Sequence, residues 1–184
     1  MRTSGTVLKL LVLLTLATTP AVAASPAATS AGIGVVGAWY LALDAKPFGF
    51  DEGTTLSGLA SFQFGGTFQF VDTGDFGGAP FFMNDSPQIG AWRRSAGGRI
   101  VATSLFLQAD ASNGEMKAWN RVELVLYPYG SNRMRGHINV FALPCDLPAP
   151  FGVFACPDPI ASEASFMPAS PPNVPVEFTR LSAR

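Results

Sequence analysis

Cys145 and Cys156 are the two cysteines of the chain and its most reactive pair of side chains. Joined, they would close the loop CDLPAPFGVFAC, in which Pro148 and Pro150 stiffen the backbone. A bridge across so short a loop contributes about 2–3 kcal/mol on the chain-entropy account. A redox role needs close spacing and a helix terminus to lower a thiol pKa, and the sequence offers neither. A zinc set needs further soft ligands. The one histidine, His137, stands apart, with Arg133, Arg135, Asn139 and Phe141 as its same-face neighbours on a strand. The expectation is a structural disulfide, with no metal and no cofactor.

The remaining candidates are polar or aromatic side chains set among apolar ones. Trp92 and Arg94 share a strand face and can stack, which makes them candidates for holding an anionic or carboxylate group. Asn120 lies between Ala118 and Val122, Leu124 and Leu126 on an alternating apolar face. If that face is internal, its carboxamide needs a hydrogen-bond partner, from a ligand or from water. Arg121 and Glu123 fall on the opposite, mixed face and are expected as solvent-side partners. With the faces reversed they would form a buried charged pair, which must be paired to persist, and Glu123 would join Arg94 as a candidate acid–base group. Phe106, in a Phe- and Leu-containing strand, is a candidate for lining a lumen.

Other chemistries lack their parts. Gly65-Gly66 and Gly77-Gly78 have neither the lysine nor the following helix of a phosphate cradle. A single histidine without an acidic orienter does not support a serine hydrolase. The Asp51-Glu52 pair sits in a polar turn rather than on facing walls, as glycoside hydrolysis would require.

The elements that must position these residues read as strands. Period-two alternation marks 37–43, 55–64, 67–72, 88–95, 99–109, 115–127, 133–143 and 174–182, with Gly-rich turns between most of them. A sustained helical period is absent after the N-terminus. Strands this short with tight connections imply an all-β, eight-stranded up-and-down antiparallel barrel, closed so that no edge is left to aggregate. A two-sheet sandwich is the rival, and its crossovers need longer connections than most of these. Residues 144–173 form a long Pro-rich, disulfide-closed loop before the last strand. Phe151, Phe154, Phe166 and Met167 within it carry more apolar area than an exposed loop keeps, so it is expected to plug one end, cover the outer wall or form a partner surface.

The 184 residues, with 12 basic and 13 acidic side chains, allow one ordinary domain and give no positive field for nucleic acid. Arg2 and Lys9, the apolar run 8–16 and Ala21-Val22-Ala23 match a cleaved secretory signal over 1–23. A flexible lead-in over 24–35 and a single barrel domain over 36–184 follow. The product is expected outside the cell, or in the periplasm of a Gram-negative source, with no integral membrane segment.

Gly37-Ala38-Trp39 resembles the Gly-x-Trp signature of lipocalins and their calycin relatives. A second copy stands at Gly90-Ala91-Trp92, followed by Arg93-Arg94. The order of Gly-x-Trp-Tyr, a strand ending in Phe-x-x-Gly-Gly-Thr, Gly-x-Trp-Arg-Arg and a Phe-containing strand is similar to the small barrels grouped with allene oxide cyclase and the spirotetronate cyclases. The resemblance spans roughly 36–182. It implies a hydrophobic cup, and it gives Trp39 and Arg180 a structural role, the indole closing the barrel's end and packing on an arginine from a late strand. The insert after Pro144 departs from the pattern, as does the lack of a C-terminal helix.

Three classes of function are compatible with these residues. The first is a binder of a small apolar or amphipathic molecule, using Asn120, Arg94, Trp92 and Phe106. The second is a cyclase or isomerase in the same cup, acting by holding its substrate near the reactive shape. The third is a barrel whose lumen is filled by Phe62, Phe106 and Phe178 and which acts through a protein partner or a second copy.

Overall fold

The computed structural model describes residues 34–76, 83–145 and 156–182. The proposed signal, Phe151 and Phe154 lie outside them. The strands are β1 (Gly37–Asp44), β2 (Thr55–Phe62), β3 (Thr67–Asp72), β4 (Met83–Asp85), β5 (Gln88–Arg94), β6 (Ile100–Asp110), β7 (Met116–Pro128), β8 (Arg133–Pro144), β9 (Met167–Pro168) and β10 (Val174–Arg180). Each of the eight expected strands is present within a few residues of its expected bounds.

Neighbours in the ring run β1-β2-β3-β5-β6-β7-β8-β10, all antiparallel, and β10 pairs with both β8 and β1. The ring is therefore an eight-stranded closed barrel, and the sandwich is set aside because no edge remains. The two short strands extend the wall. Asp85 faces Gln108 on β6 while Ile89 faces Leu105, so β4 and β5 form one bent strand interrupted at Ser86-Pro87. Ser86 bridges the break, its N–H donating to the Leu107 carbonyl and its hydroxyl accepting from the Leu107 N–H. On β8, Phe141 pairs with Pro168 before Ile138 pairs with Val174. The Pro-rich loop thus rejoins the sheet earlier than its prolines imply, because β9 needs donors on one side only.

Alternation fixes the inner face. Trp39, Leu41 and Leu43 of β1, and Ala118, Asn120, Val122, Leu124 and Leu126 of β7, are buried. Gly90 is required by crowding, since a β-carbon there would stand 1.9 Å from the Thr103 carbonyl oxygen of β6. Gly37 is required by its backbone, with φ at 138°, where side chains are strained. The two Gly-x-Trp copies therefore keep their glycines for different reasons.

One end of the barrel is packed. Trp39, Phe62, Phe68, Phe178, Ile100 and Met134 fill it, with Phe62 centred 4.9 Å from Phe68 and 6.4 Å from Phe178. Val35, read from sequence as the end of a flexible lead-in, is buried here, and its carbonyl accepts from Trp39 Nε1 at 2.8 Å. The Arg180 guanidinium lies 5.1 Å from the centre of the Trp39 ring and donates to the Val36 carbonyl. Cys145 and Cys156 are joined in a disulfide at the opposite end, where the Cys145 N–H donates to the Lys117 carbonyl.

Candidate functional site

The other half of the barrel is hollow. A cavity of about 280 Å³ has aliphatic and aromatic walls that include Leu41, Leu43, Leu56, Phe70, Phe106 and Val122. Phe48 and Phe50 reach it from the β1–β2 connection, and Ala169 from the segment after β9. One side is polar. Asp72 and Gly74 at the end of β3, Asp85 on β4, Gln88 on β5, Gln108 on β6 and Asn120 on β7 all border the space. Among the described residues, no lysine, arginine or histidine borders it.

The polar side is a connected network. Ser104 Oγ donates to Gln88 Oε1 at 3.1 Å, and Gln88 Nε2 donates to Asp72 Oδ2 at 3.3 Å. The Gly74 N–H donates to Asp72 Oδ1 at 2.7 Å, and the Asp72 N–H to Asp75 Oδ2 at 3.0 Å. Gly74 makes this convergence possible, because a β-carbon there would lie 2.8 Å from Asp85 Oδ2 and 2.9 Å from Asp72 Oδ1. Burial pushes the Asp72 carboxyl up to about 7. The Asp75 and Asp85 charges add to the rise, and the Gly74 N–H and Gln88 amide oppose it. Asp85 is raised to about 6, first by burial and then by Asp75, with Gln108 opposing. Asp75 is raised by burial, and the Asp72 N–H holds it partly down.

Three atoms of this region are buried without a hydrogen-bond partner: Asp75 Oδ1, Asp85 Oδ1 and Asn120 Nδ2. Such orphans are costly, so each calls for an explanation.

The candidates read from sequence divide between three places. Asn120 and Phe106 line the cavity. Trp92 and Arg94 point inward but toward the packed end, outside the cavity. Trp92 Nε1 donates to the Gln63 carbonyl at 2.9 Å and its ring stands edge-on to Phe62, while Arg94 Nη1 donates to the Gly98 carbonyl at 3.1 Å. Their shared face is as expected, but the strand direction carries them away from the hollow half. Glu123 lies on the outer wall, 3.2 Å from Arg121 Nε, as the cleaner inner face of β7 required. It has no access to the lumen and is not an acid–base group for it. His137, on β8, is half-buried beside Arg135 on the outer wall.

The segment after Cys156 covers part of that wall. Arg121 is held 4.9 Å from the centres of both the Phe141 and Phe166 rings, with Glu163 at 3.7 Å. Of the three placements open to the loop, its described portion takes the outer wall and reaches the cavity rim through Ala169.

Sequence reading missed Asp72, Asp85 and Gln88. Asp72 was legible: it stands two residues beyond Phe70 on the same alternating face. Asp85 was not, because it follows a Gly- and Pro-containing stretch whose length hides the register.

Among the described residues, no group of His, Cys, Asp and Glu is arranged to hold a metal ion. Comparison with family models, curated proteins and solved structures finds no match to this chain.

Proposed function

We propose that the protein is an exported, lipocalin-like barrel that takes one small apolar or amphipathic molecule into its hollow half. The carrying observation is the cavity itself: about 280 Å³, mostly apolar walls, and polar groups confined to one side. That division is how small-molecule sites gain affinity from their walls and orientation from a few polar contacts. The volume lies at the small end for such sites. Export rests on the basic, apolar and small-residue succession at the N-terminus and on the disulfide.

The test is uptake of Nile red, a neutral dye, by the disulfide-bonded chain, followed by native mass spectrometry of protein taken from its own source. Enhanced dye fluorescence that falls in Phe106→Trp, together with a bound small molecule released on denaturation, is the expected outcome. No uptake by the wild-type protein and a clean unliganded mass would overturn the reading.

A cyclase or isomerase in the style of the allene oxide cyclase group is the second reading. Its specific support is Asp72, a carboxyl held at about 7 beside an apolar cavity, in the range where one group both gives and takes a proton at neutral pH. On this reading Asp72 replaces Glu123 and Arg94 as the acid–base residue. Turnover lost in Asp72→Asn with ligand affinity retained would separate it from a carrier.

A further inference from the structure

The charge and the orphaned atoms of the cavity specify its occupant more narrowly than its walls do. Resting on the cup reading above, we infer that the ligand is a small organic cation, an amine on an apolar body, that also carries a hydrogen-bond acceptor. Asp72 and Asp85 border one side of the lumen, Asp75 is bonded to the Asp72 N–H beside them, and among the described residues the cavity lining supplies no cationic partner for them. Asp85, which borders the cavity, keeps Oδ1 as a buried acceptor without a donor, and an ammonium group brings donors with its charge. Asn120, only 4% exposed, borders the same space with Nδ2 unpartnered, a donor without an acceptor. Its neighbours on the inner face, Ala118 and Val122, are apolar and offer no acceptor, and we assign that role to the occupant in place of water.

The same arrangement discriminates. A fatty acid or other carboxylate would place a further negative charge beside this acidic cluster, with no basic side chain in the described lining to receive it. The Arg94 guanidinium, expected to receive such an anion, is turned to the packed end and bonded to Gly98. A metal ion is not the cation in question, because these carboxylates are not arranged as a ligand set. The protons held at neutral pH are consistent with an amine site: an incoming ammonium favours the charged carboxylates and displaces the protons they carry.

The experiment uses the full mature chain with its disulfide intact and three probes sharing a p-hydroxyphenyl body: tyramine, its neutral alcohol analogue tyrosol, and 3-(4-hydroxyphenyl)propionate. Affinities are measured by calorimetry and by displacement of Nile red. Tyramine is expected to bind at least about tenfold more tightly than the propionate, with tyrosol between, a factor worth about 1.4 kcal/mol. Asp85→Asn is expected to bring tyramine down to the level of tyrosol and leave tyrosol unchanged. Asn120→Leu is expected to weaken all three several-fold, and unchanged affinities would remove the acceptor from the inference.

Should Asp85→Asn fail to fold, the wild-type protein decides by pH. The titratable groups facing the cluster from β3, β4 and the turn between them are the three aspartates, and Gln88, Gln108 and Asn120 on β5, β6 and β7 are neutral. Tyramine affinity then falls between pH 8 and pH 5 while tyrosol affinity holds. Propionate or tyrosol binding as tightly as tyramine overturns the cation and leaves the cup standing. Exclusion of all three probes and of Nile red brings down the cup itself.

Discussion

At the packed end of the barrel, Phe62 meets Phe68 and Phe178 ring against ring, and Trp39 is buried with them. At the other end the same strands present Leu43, Leu56, Asp72 and Val174. On β1 and β10 the difference is a taper in side-chain volume along the inner face. On β1 the order is Trp39, Leu41, Leu43. On β10 it is Phe178, Val176, Val174. An eight-stranded ring is just wide enough for large side chains to meet across it. Phe62, Phe68 and Phe178 close that width at one end, whereas Phe70 and Phe106 at the other stand along the wall and leave space between them. Polarity follows the same gradient, because buried carboxylates are tolerated only beside space and one another's hydrogen-bond partners. One end therefore supplies stability, and the other gives some of it up for a site.

The largest effect that would sharpen this contrast is at the packed end. Phe62→Ala is expected to cost about 3–5 kcal/mol in urea or guanidinium unfolding, the range for a ring removed from a filled core. A loss below about 1 kcal/mol would mean that this end is not the stabilising half.

The second effect is the response of stability to pH. Asp72 and Asp85 bind protons more tightly folded than unfolded, with values of about 7 and about 6 against an ordinary 3.8. Their contribution is full below about pH 4 and is lost as pH rises through about 6 and then about 7. Asp110 and Glu177 are lowered, Asp110 chiefly by its hydrogen bonds to Ser112, and Glu177 chiefly by the Tyr129 hydroxyl and then by Arg133. Both are solvent-exposed, so screening leaves them little weight against the buried pair. The melting temperature is expected to be higher at pH 5 than at pH 8, with Asp72→Asn flattening the slope. A melting temperature that rises with pH would refute the assignment of these carboxyls to the hollow half.

Third, Cys145→Ala with Cys156→Ala is expected to cost about 2–3 kcal/mol, measured against the oxidised protein by the same unfolding curves. The ring of strands should survive, since no pairing of β1 with β10 or β8 with β10 involves the bridge; collapse of the far-ultraviolet circular dichroism would show that the bridge holds the ring as well.

The smallest effect is expected at Phe106. Its ring already faces open space on one side and has fewer packing partners to lose, so Phe106→Ala should cost about 2 kcal/mol, less than Phe62→Ala. It should also admit bulkier neutral dyes. A cost equal to that of Phe62→Ala would erase the distinction between the two ends.

Much of this contrast was present in the order of residues. Alternation alone gave each of the eight main strands, because a strand that buries one face must alternate, and it chose the inner face of β7 correctly since Ala118 to Leu126 is uninterrupted by charge. The pairing of Cys145 with Cys156 was likewise readable, there being no other cysteine to choose. The taper was legible too, as a run of shrinking residues on every second position of β1 and β10. The site was harder. Arg94 and Trp92 were placed on the right face, but face does not say which end of a barrel a residue occupies, and height along the axis depends on the stagger between strands. Convergence of Asp72, Asp75 and Asp85 depends on β4 continuing β5 past the break at Pro87 and on a turn at Gly74 with no room for a β-carbon. By itself the sequence determined the strands, their inner faces and the disulfide, because these follow from local periodicity and from the count of cysteines. Only the tertiary structure decided which end is hollow and that three aspartates meet there, because both depend on how strands far apart in the chain are staggered when the ring closes.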